Sequence, residues 1–208
     1  MEKHNRIIIL SAFIMFVFQV SAQSFNKIRE LPFNIIQSKW ERNAQGDQDL
    51  NYYNEDYCDY YLYREKDRSY NLRPGNNKVF TLKNDKSLNN TFPNSTRYRY
   101  YRGKFPQNFN INTPYGLPVK NRQKTEWQID PRESFKTLNF NIQNGDTVYA
   151  TRSGIACKTS NSRQLLIYHP DQTFAAYLIM SENFIKPSQE VQIGQPIGKA
   201  GLWGVSIS

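Results

Sequence analysis

From residue 51 to the end of the chain, apolar positions fall in short alternating runs, and glycine, proline or asparagine ends each run before it reaches helical length. Between Asn51 and Gly103, runs rich in Tyr, Phe, Val and Thr are separated by Arg73-Pro74-Gly75-Asn76-Asn77 and by Asn89-Asn90-Thr91-Phe92-Pro93-Asn94. β-branched and aromatic residues fit a pleated, half-buried surface, while Pro-Gly and Asn-Asn supply the backbone angles of tight turns. From Trp127 to Ser208 the alternation resumes between Gly, Pro, Asn and Asp turns, with no helical periodicity beyond about two turns. The pattern predicts an all-β protein.

Two segments are expected after a leader. Residues 23–108 read as a Tyr-rich β-sandwich of the immunoglobulin type, and residues 109–208 as a second β domain. Phe105 to Pro118 holds Pro106, Pro114, Gly116 and Pro118 and reads as the linker. From Gln23 to Gly46 the apolar residues are irregularly spaced around Pro32, which leaves a short helix and a first strand both open. The chain holds no tandem repeat and no low-complexity tract.

The leader is residues 1–22. Lys3 and Arg6 precede a predominantly apolar stretch, Ile7 to Val20, that exits through Val20-Ser21-Ala22 before Gln23. A basic start, an apolar run of this length and small residues at the exit make a secretory signal. A membrane anchor is the competing reading, but the run falls short of the roughly 20 apolar residues that span a bilayer. No Cys follows it to carry a lipid. The expectation is export, to the periplasm, the cell surface or the medium, with no membrane span once the signal is cleaved.

Charge narrows the partner classes. The chain carries a formal +9, which outside the cytoplasm suits anionic envelope polymers or an acidic partner. In Arg97-Tyr98-Arg99-Tyr100-Tyr101-Arg102-Gly103-Lys104, the two-residue period of a strand sets Arg97 and Arg99 on one face and Tyr98 and Tyr100 on the other. Interleaved Arg and Tyr would suit nucleic acid in a cytosolic protein. Export removes nucleic acid from the expected partners and leaves a strand with one cationic face. Ten of the 14 tyrosines lie between Tyr52 and Tyr101; they are either a stacking platform for sugars or peptides, or ordinary half-buried strand residues.

Two cysteines, Cys58 and Cys157, stand one in each segment. An oxidising compartment permits a disulfide between them, and Cys157, after Gly154-Ile155-Ala156, also reads as a small core residue. There is no CxxC and no structural zinc ligand set.

The C-terminal segment resembles the lysostaphin/LytM-like peptidoglycan endopeptidases over about residues 110 to 208. The resemblance rests on Gly145-Asp146-Thr147-Val148-Tyr149-Ala150, Ser153-Gly154-Ile155, Leu165 to Asp171, Ala176-Tyr177-Leu178-Ile179-Met180 and Val191-Gln192-Ile193-Gly194-Gln195-Pro196-Ile197-Gly198. It implies a curved antiparallel β-sandwich with a groove that in that family holds one zinc, bound through a His-x-Gly-x-Asp segment and the second His of His-x-His. The first His of that pair, and the His of Tyr-x-His-Leu, orient and activate the water. Three protein ligands leave an open position where zinc brings the pKa of bound water to about 7.

At those places this chain has other residues. Six residues before Gly145 stands Asn139, and four before that Phe135, so His-x-Gly-x-Asp becomes Phe135-Lys136-Thr137-Leu138-Asn139. Ile179 takes the histidine's place after Tyr177, and Gly204-Val205-Ser206-Ile207-Ser208 puts Ser206 and Ser208 where Gly-x-His-x-His is expected. The family's final strand runs on beyond the place of Ser208, so the resemblance implies a short or unfinished last strand. The one histidine beyond the leader, His169, has only Asp171 as a nearby ligand-type residue and reads as a polar strand-end residue. No G-x-S-x-G element supports a Ser206 or Ser208 nucleophile with His169 and Asp171. A biotinyl or lipoyl carrier shares the Gly-x-x-Val and Gly-x-x-Ile-Gly turns, but the Asp171-Gln172-Thr173 hairpin tip offers no lysine.

The resulting expectation is an exported, non-catalytic, peptidase-like protein without cofactor. It would bind a peptidoglycan peptide or an envelope protein through a groove lined by Phe135, Asn139, Ile179, Ser206 and Ser208. A zinc peptidase with unorthodox ligands and an adhesion module acting through the Tyr-rich segment are the alternatives.

Overall fold

A computed structural model describes residues 35–64, 68–84, 98–105, 112–120, 127–129, 137–202 and 204–207. Every regular element among them is a strand, and every strand pair is antiparallel. No helix of the described residues is long and apolar enough to cross a membrane.

The first half builds two three-stranded sheets. One, in the order β1-β2-β5, contains β1 (Ile36–Arg42), β2 (Gln48–Asn54) and β5 (Gly75–Leu82); the other, β4-β3-β6, contains β3 (Tyr60–Arg64), β4 (Arg68–Leu72) and β6 (Tyr98–Arg102). The undecided stretch before Gly46 is thus a strand from Ile36 onward. It ends in a tight turn where the Asn43 Oδ1 accepts the backbone N–H groups of Gln45 and Asp47 at 3.1 and 3.0 Å and Gly46 takes φ +84°. Such a φ favours glycine because a Cβ would crowd the backbone. The Arg73–Asn77 turn also forms, with the Asn77 side chain bonded to the N–H and C=O of Arg73. It does not close a hairpin, because β4 joins β3 while β5 crosses to β2.

The second half contributes a seven-stranded sheet, β14-β10-β11-β12-β16-β8-β7, and a three-stranded one, β13-β15-β9. In chain order these strands are β7 (Trp127–Ile129), β8 (Leu138–Phe140), β9 (Thr147–Tyr149), β10 (Gly154–Cys157), β11 (Leu165–Tyr168), β12 (Phe174–Leu178), β13 (Met180–Asn183), β14 (Glu190–Val191), β15 (Pro196–Ala200) and β16 (Val205–Ile207).

At the middle of the large sheet, β11 and β12 are buried on both faces, and the two-residue period sorts their side chains between two cores. Leu165 and Ile167 on β11, with Ala175 and Tyr177 on β12, join Val148, Met180, Ile197 and Ala200 from the small sheet and its edges. The alternate residues, Leu166, Ala176 and Leu178, with Cys157, join Leu50, Tyr52, Cys58, Tyr60, Leu62 and Leu72 from the first half. The two halves therefore share a core. Each fully buried side chain of this size contributes roughly 1.5–3 kcal/mol. The segment read as a linker is also fastened down, since Gly116 N–H donates to the Thr151 carbonyl at 2.8 Å and Tyr149 N–H to the Pro118 carbonyl at 2.7 Å.

Candidate functional site

Three places concentrate polar chemistry. The first is a row across the large sheet, where Leu178 on β12 pairs with Ser206 on β16 and Ser206 with Asn139 on β8. The Ser206 hydroxyl donates to the Asn139 Oδ1 at 2.6 Å. Leu178 is buried in the core shared with the first half, Ser206 is buried, and Asn139 is exposed. The row runs on to Gln128 of β7, which pairs with Asn139; the N-terminal strands cover it at Leu178, and at Asn139 it meets solvent.

Local sequence explains the row. Gly204 has φ +81°, and a Cβ there would run into the Phe140 carbonyl, so only glycine lets β16 enter this close to β8. Ile179, one residue beyond Leu178, also has a positive φ, 63°, which is rare for a β-branched residue. That backbone breaks the alternation: Tyr177 faces one core, both Leu178 and Ile179 pack toward the other, and Met180 returns to the first. Ile179 thus forms the corner at which the chain leaves the large sheet for the small one. Of the groove residues read from sequence, the structure brings Asn139 and Ser206 together and puts Ile179 beside their row; Phe135 and Ser208 lie outside the described residues.

The second place is a cleft of about 510 Å³ between the halves, lined by Asp59 and Lys104 on one side and by Gly154, His169, Glu190 and Gln192 on the other. His169 is 1% exposed. Its Nδ1 lies 2.8 Å from the Ser153 carbonyl; a carbonyl only accepts, so this nitrogen carries the proton and Nε2 is left as an acceptor. The Nε2 is buried and has no hydrogen-bond partner among the described residues. Burial lowers the pKa of His169 below the usual histidine value; the Ser153 carbonyl and Asp171 raise it and the Arg152 charge lowers it, with burial prevailing.

The Tyr115 and His169 rings meet in a T-shaped contact with their planes 84° apart. Arg152 stacks on the same ring, 4.9 Å from its centre, and its Nη1 pairs with Asp171 Oδ2 at 2.8 Å. Asp171 in turn accepts from the Thr173 hydroxyl at 2.7 Å. The sequence reading named His169 and Asp171 but missed Arg152 and Tyr115. No motif marks them, and only the fastening of residues 112–120 onto the sheet brings Tyr115 to the site.

The third place is the seam itself. Asp56, 2% exposed, is the hub. Its Oδ1 accepts the backbone N–H of Tyr57 at 2.8 Å and of Lys158 at 2.7 Å, its Oδ2 accepts the Tyr60 hydroxyl at 2.9 Å, and Arg102 Nε lies 3.6 Å away. Arg102 also donates to the Lys158 carbonyl at 2.6 Å, and the Tyr168 hydroxyl donates to Asp59 at 2.7 Å. On the face expected to be cationic, Arg99 is exposed and Arg97 lies outside the described residues; Arg102, on the opposite face with Tyr100, turns inward. One carboxylate oxygen of Asp56 and the sulfurs of Cys58 and Cys157 lie within 4.8 Å of one another, a set of atoms that includes two metal-ligand sulfurs.

The fold and these sites define an all-β protein with a two-faced central sheet, a cleft of mixed polar and apolar lining between its halves, and a neutral Ser-Asn pair where β16 meets β8. No known protein family and no curated protein matches the sequence.

Proposed function

We propose that this is an exported, non-catalytic, peptidase-like protein that binds a component of the cell envelope, a peptidoglycan peptide or a wall-acting protein partner. In this reading the C-terminal sheets are a lysostaphin-like sandwich, the first half is an immunoglobulin-like one, and the row through Ser206 and Asn139 is the peptide-binding surface. The observation that carries it is the 2.6 Å hydrogen bond between Ser206 and Asn139. These positions match those of an activating histidine and a ligand aspartate in the resembling family, and here they satisfy each other as a neutral pair. An amide and a hydroxyl are not the imidazole, thiolate or carboxylate donors that zinc selects, so no hydrolytic step is derived through a metal. A neutral, partly exposed polar pair beside an apolar corner suits recognition of an extended peptide, whose backbone offers both donors and acceptors.

Sedimentation of the purified protein with isolated wall material tests this. Binding is expected, and Asn139→Trp, which fills the exposed position of the row, should weaken it at least tenfold while leaving the melting temperature within a few degrees. Equal binding by both proteins, or none by either to wall or envelope proteins, overturns the reading. One zinc per chain with chelator-sensitive cleavage of wall peptides would replace it with a peptidase.

A further inference from the structure

Cys58 lies in the bend before β3 and Cys157 ends β10, roughly 100 residues further on, a loop length at which a cross-link strongly restricts the unfolded chain. Both are free thiols, 0% and 2% exposed, in the core that joins the halves. Their sulfurs fall within the same 4.8 Å cluster as Asp56. Each thiol donates only a long sulfur hydrogen bond, Cys58 Sγ to Asp56 Oδ2 at 3.6 Å and Cys157 Sγ to the Ile155 carbonyl at 3.8 Å.

A divalent metal is the competing occupant, and the carboxylate argues against it. Both oxygens of Asp56 already accept protein donors, with Arg102 alongside, so as a ligand Asp56 would have to surrender bonds that hold the seam. That leaves two sulfurs within 4.8 Å of each other, and two ligands do not make a stable metal site.

We propose that Cys58 and Cys157 are an oxidisable pair that closes into an intramolecular disulfide fastening the N-terminal strands to the seven-stranded sheet. The oxidant is a disulfide, small-molecule or protein-borne. One cysteine thiolate attacks a sulfur of it, forming a mixed disulfide and releasing one thiolate. The second cysteine thiolate then attacks the bound cysteine sulfur, forming the Sγ–Sγ bond and expelling the second thiolate. The pair gives up two electrons, the oxidant becomes two thiols, and the two cysteine protons pass to the released thiolates. In the folded state the Cys157 thiol, burial and the Asp56 charge all push the Cys58 thiol up, and thiolate is the reacting form. Closure therefore belongs to folding, while both sulfurs are still reachable. Supply of the oxidant in the cell rests on the export reading above; the geometry does not.

The test is refolding the reduced chain from denaturant in a glutathione redox buffer, followed by alkylation under denaturing conditions and intact mass. Expected is a monomer lighter by two hydrogens with no alkylated cysteine, one peptide pair joined through Cys58 and Cys157, and a melting temperature on the order of 10 °C above that of the reduced protein. The Cys58→Ala/Cys157→Ala double variant should melt alike in both buffers. Two alkylated thiols, glutathione held on either cysteine, a disulfide-linked dimer, or a stoichiometric divalent metal on the thiolates overturns the proposal. Protein taken directly from cells into a thiol-blocking reagent separates the two readings: closure in the tube with free thiols in the cell sustains the disulfide chemistry and refutes export.

Discussion

A handful of polar side chains lie inside the core of this protein, and His169 is one whose charge responds to pH, burial holding its pKa below the usual histidine value. It is buried as the neutral ring, and its folded-state pKa lies below the unfolded value near 6.5. A lowered value means that the unfolded chain binds more protons as pH falls, so the stability His169 contributes is intact above about 6.5 and drains away as pH drops toward the folded value. The steepest loss one such group causes is roughly 1.4 kcal/mol per pH unit. Denaturant midpoints measured between about pH 7.5 and 5.5 should fall with acidification, and His169→Gln should flatten that slope even if it lowers stability throughout. Equal slopes would show that His169 is not buried neutral. At this scale the sequence was informative only where chemistry is local. His169 and Asp171 stand two apart and drew notice; Asp56 is one acid among 18 Asp and Glu, and nothing near it signals that its partners are Lys158 and Arg102.

Turns and strands were legible because their causes are local. Pro74-Gly75 and the alternating runs announced themselves, and so did the absence of helical spacing. Strand partnership was not legible, since β4 and β5 flank a good turn yet belong to different sheets. The inward Arg102 was hidden for the same reason, because a strand's period tells which residues share a face but not which face meets the core. Glycine requirements lie between these cases. Gly204 admits β16 beside β8 through a positive φ and a backbone approach that leaves no room for a Cβ. Gly204→Ala should therefore cost on the order of 2–4 kcal/mol, from strain and forced displacement together. Gly145 also has a positive φ but open space around it, so Gly145→Ala should cost only about 1 kcal/mol, the backbone strain alone. Comparing the two by chemical denaturation checks whether close approach, over and above φ, sets the difference.

For the whole molecule, the division at Phe105–Pro118 came from proline density, which marks a break in regular structure but says nothing of what packs across it. Leu166, Ala176, Leu178 and Cys157 of the second half bury against Leu50, Tyr60, Leu62 and Leu72 of the first. Residues 23–108 and 109–208 expressed separately should each expose this face, bind a hydrophobic dye and lack near-ultraviolet dichroism; mixing or co-expressing them should restore both. Two well-folded fragments would show that the seam is an interface rather than a core. The candidate site divides in the same way. The Ser206–Asn139 pair was legible because a resemblance supplied the spacing, whereas the cleft between the halves depends on distant segments converging.

The strand from Phe174 to Leu178 has consequences for how the sequence can change over time. Its neighbouring side chains serve opposite layers, Ala175 and Tyr177 one and Ala176 and Leu178 the other. A change in bulk at any of these four positions disturbs the packing of one whole layer, and no position on the strand is spare. Among descendants of this protein these few residues should drift most slowly, and a replacement tolerated here should travel with a compensating change in the layer it faces.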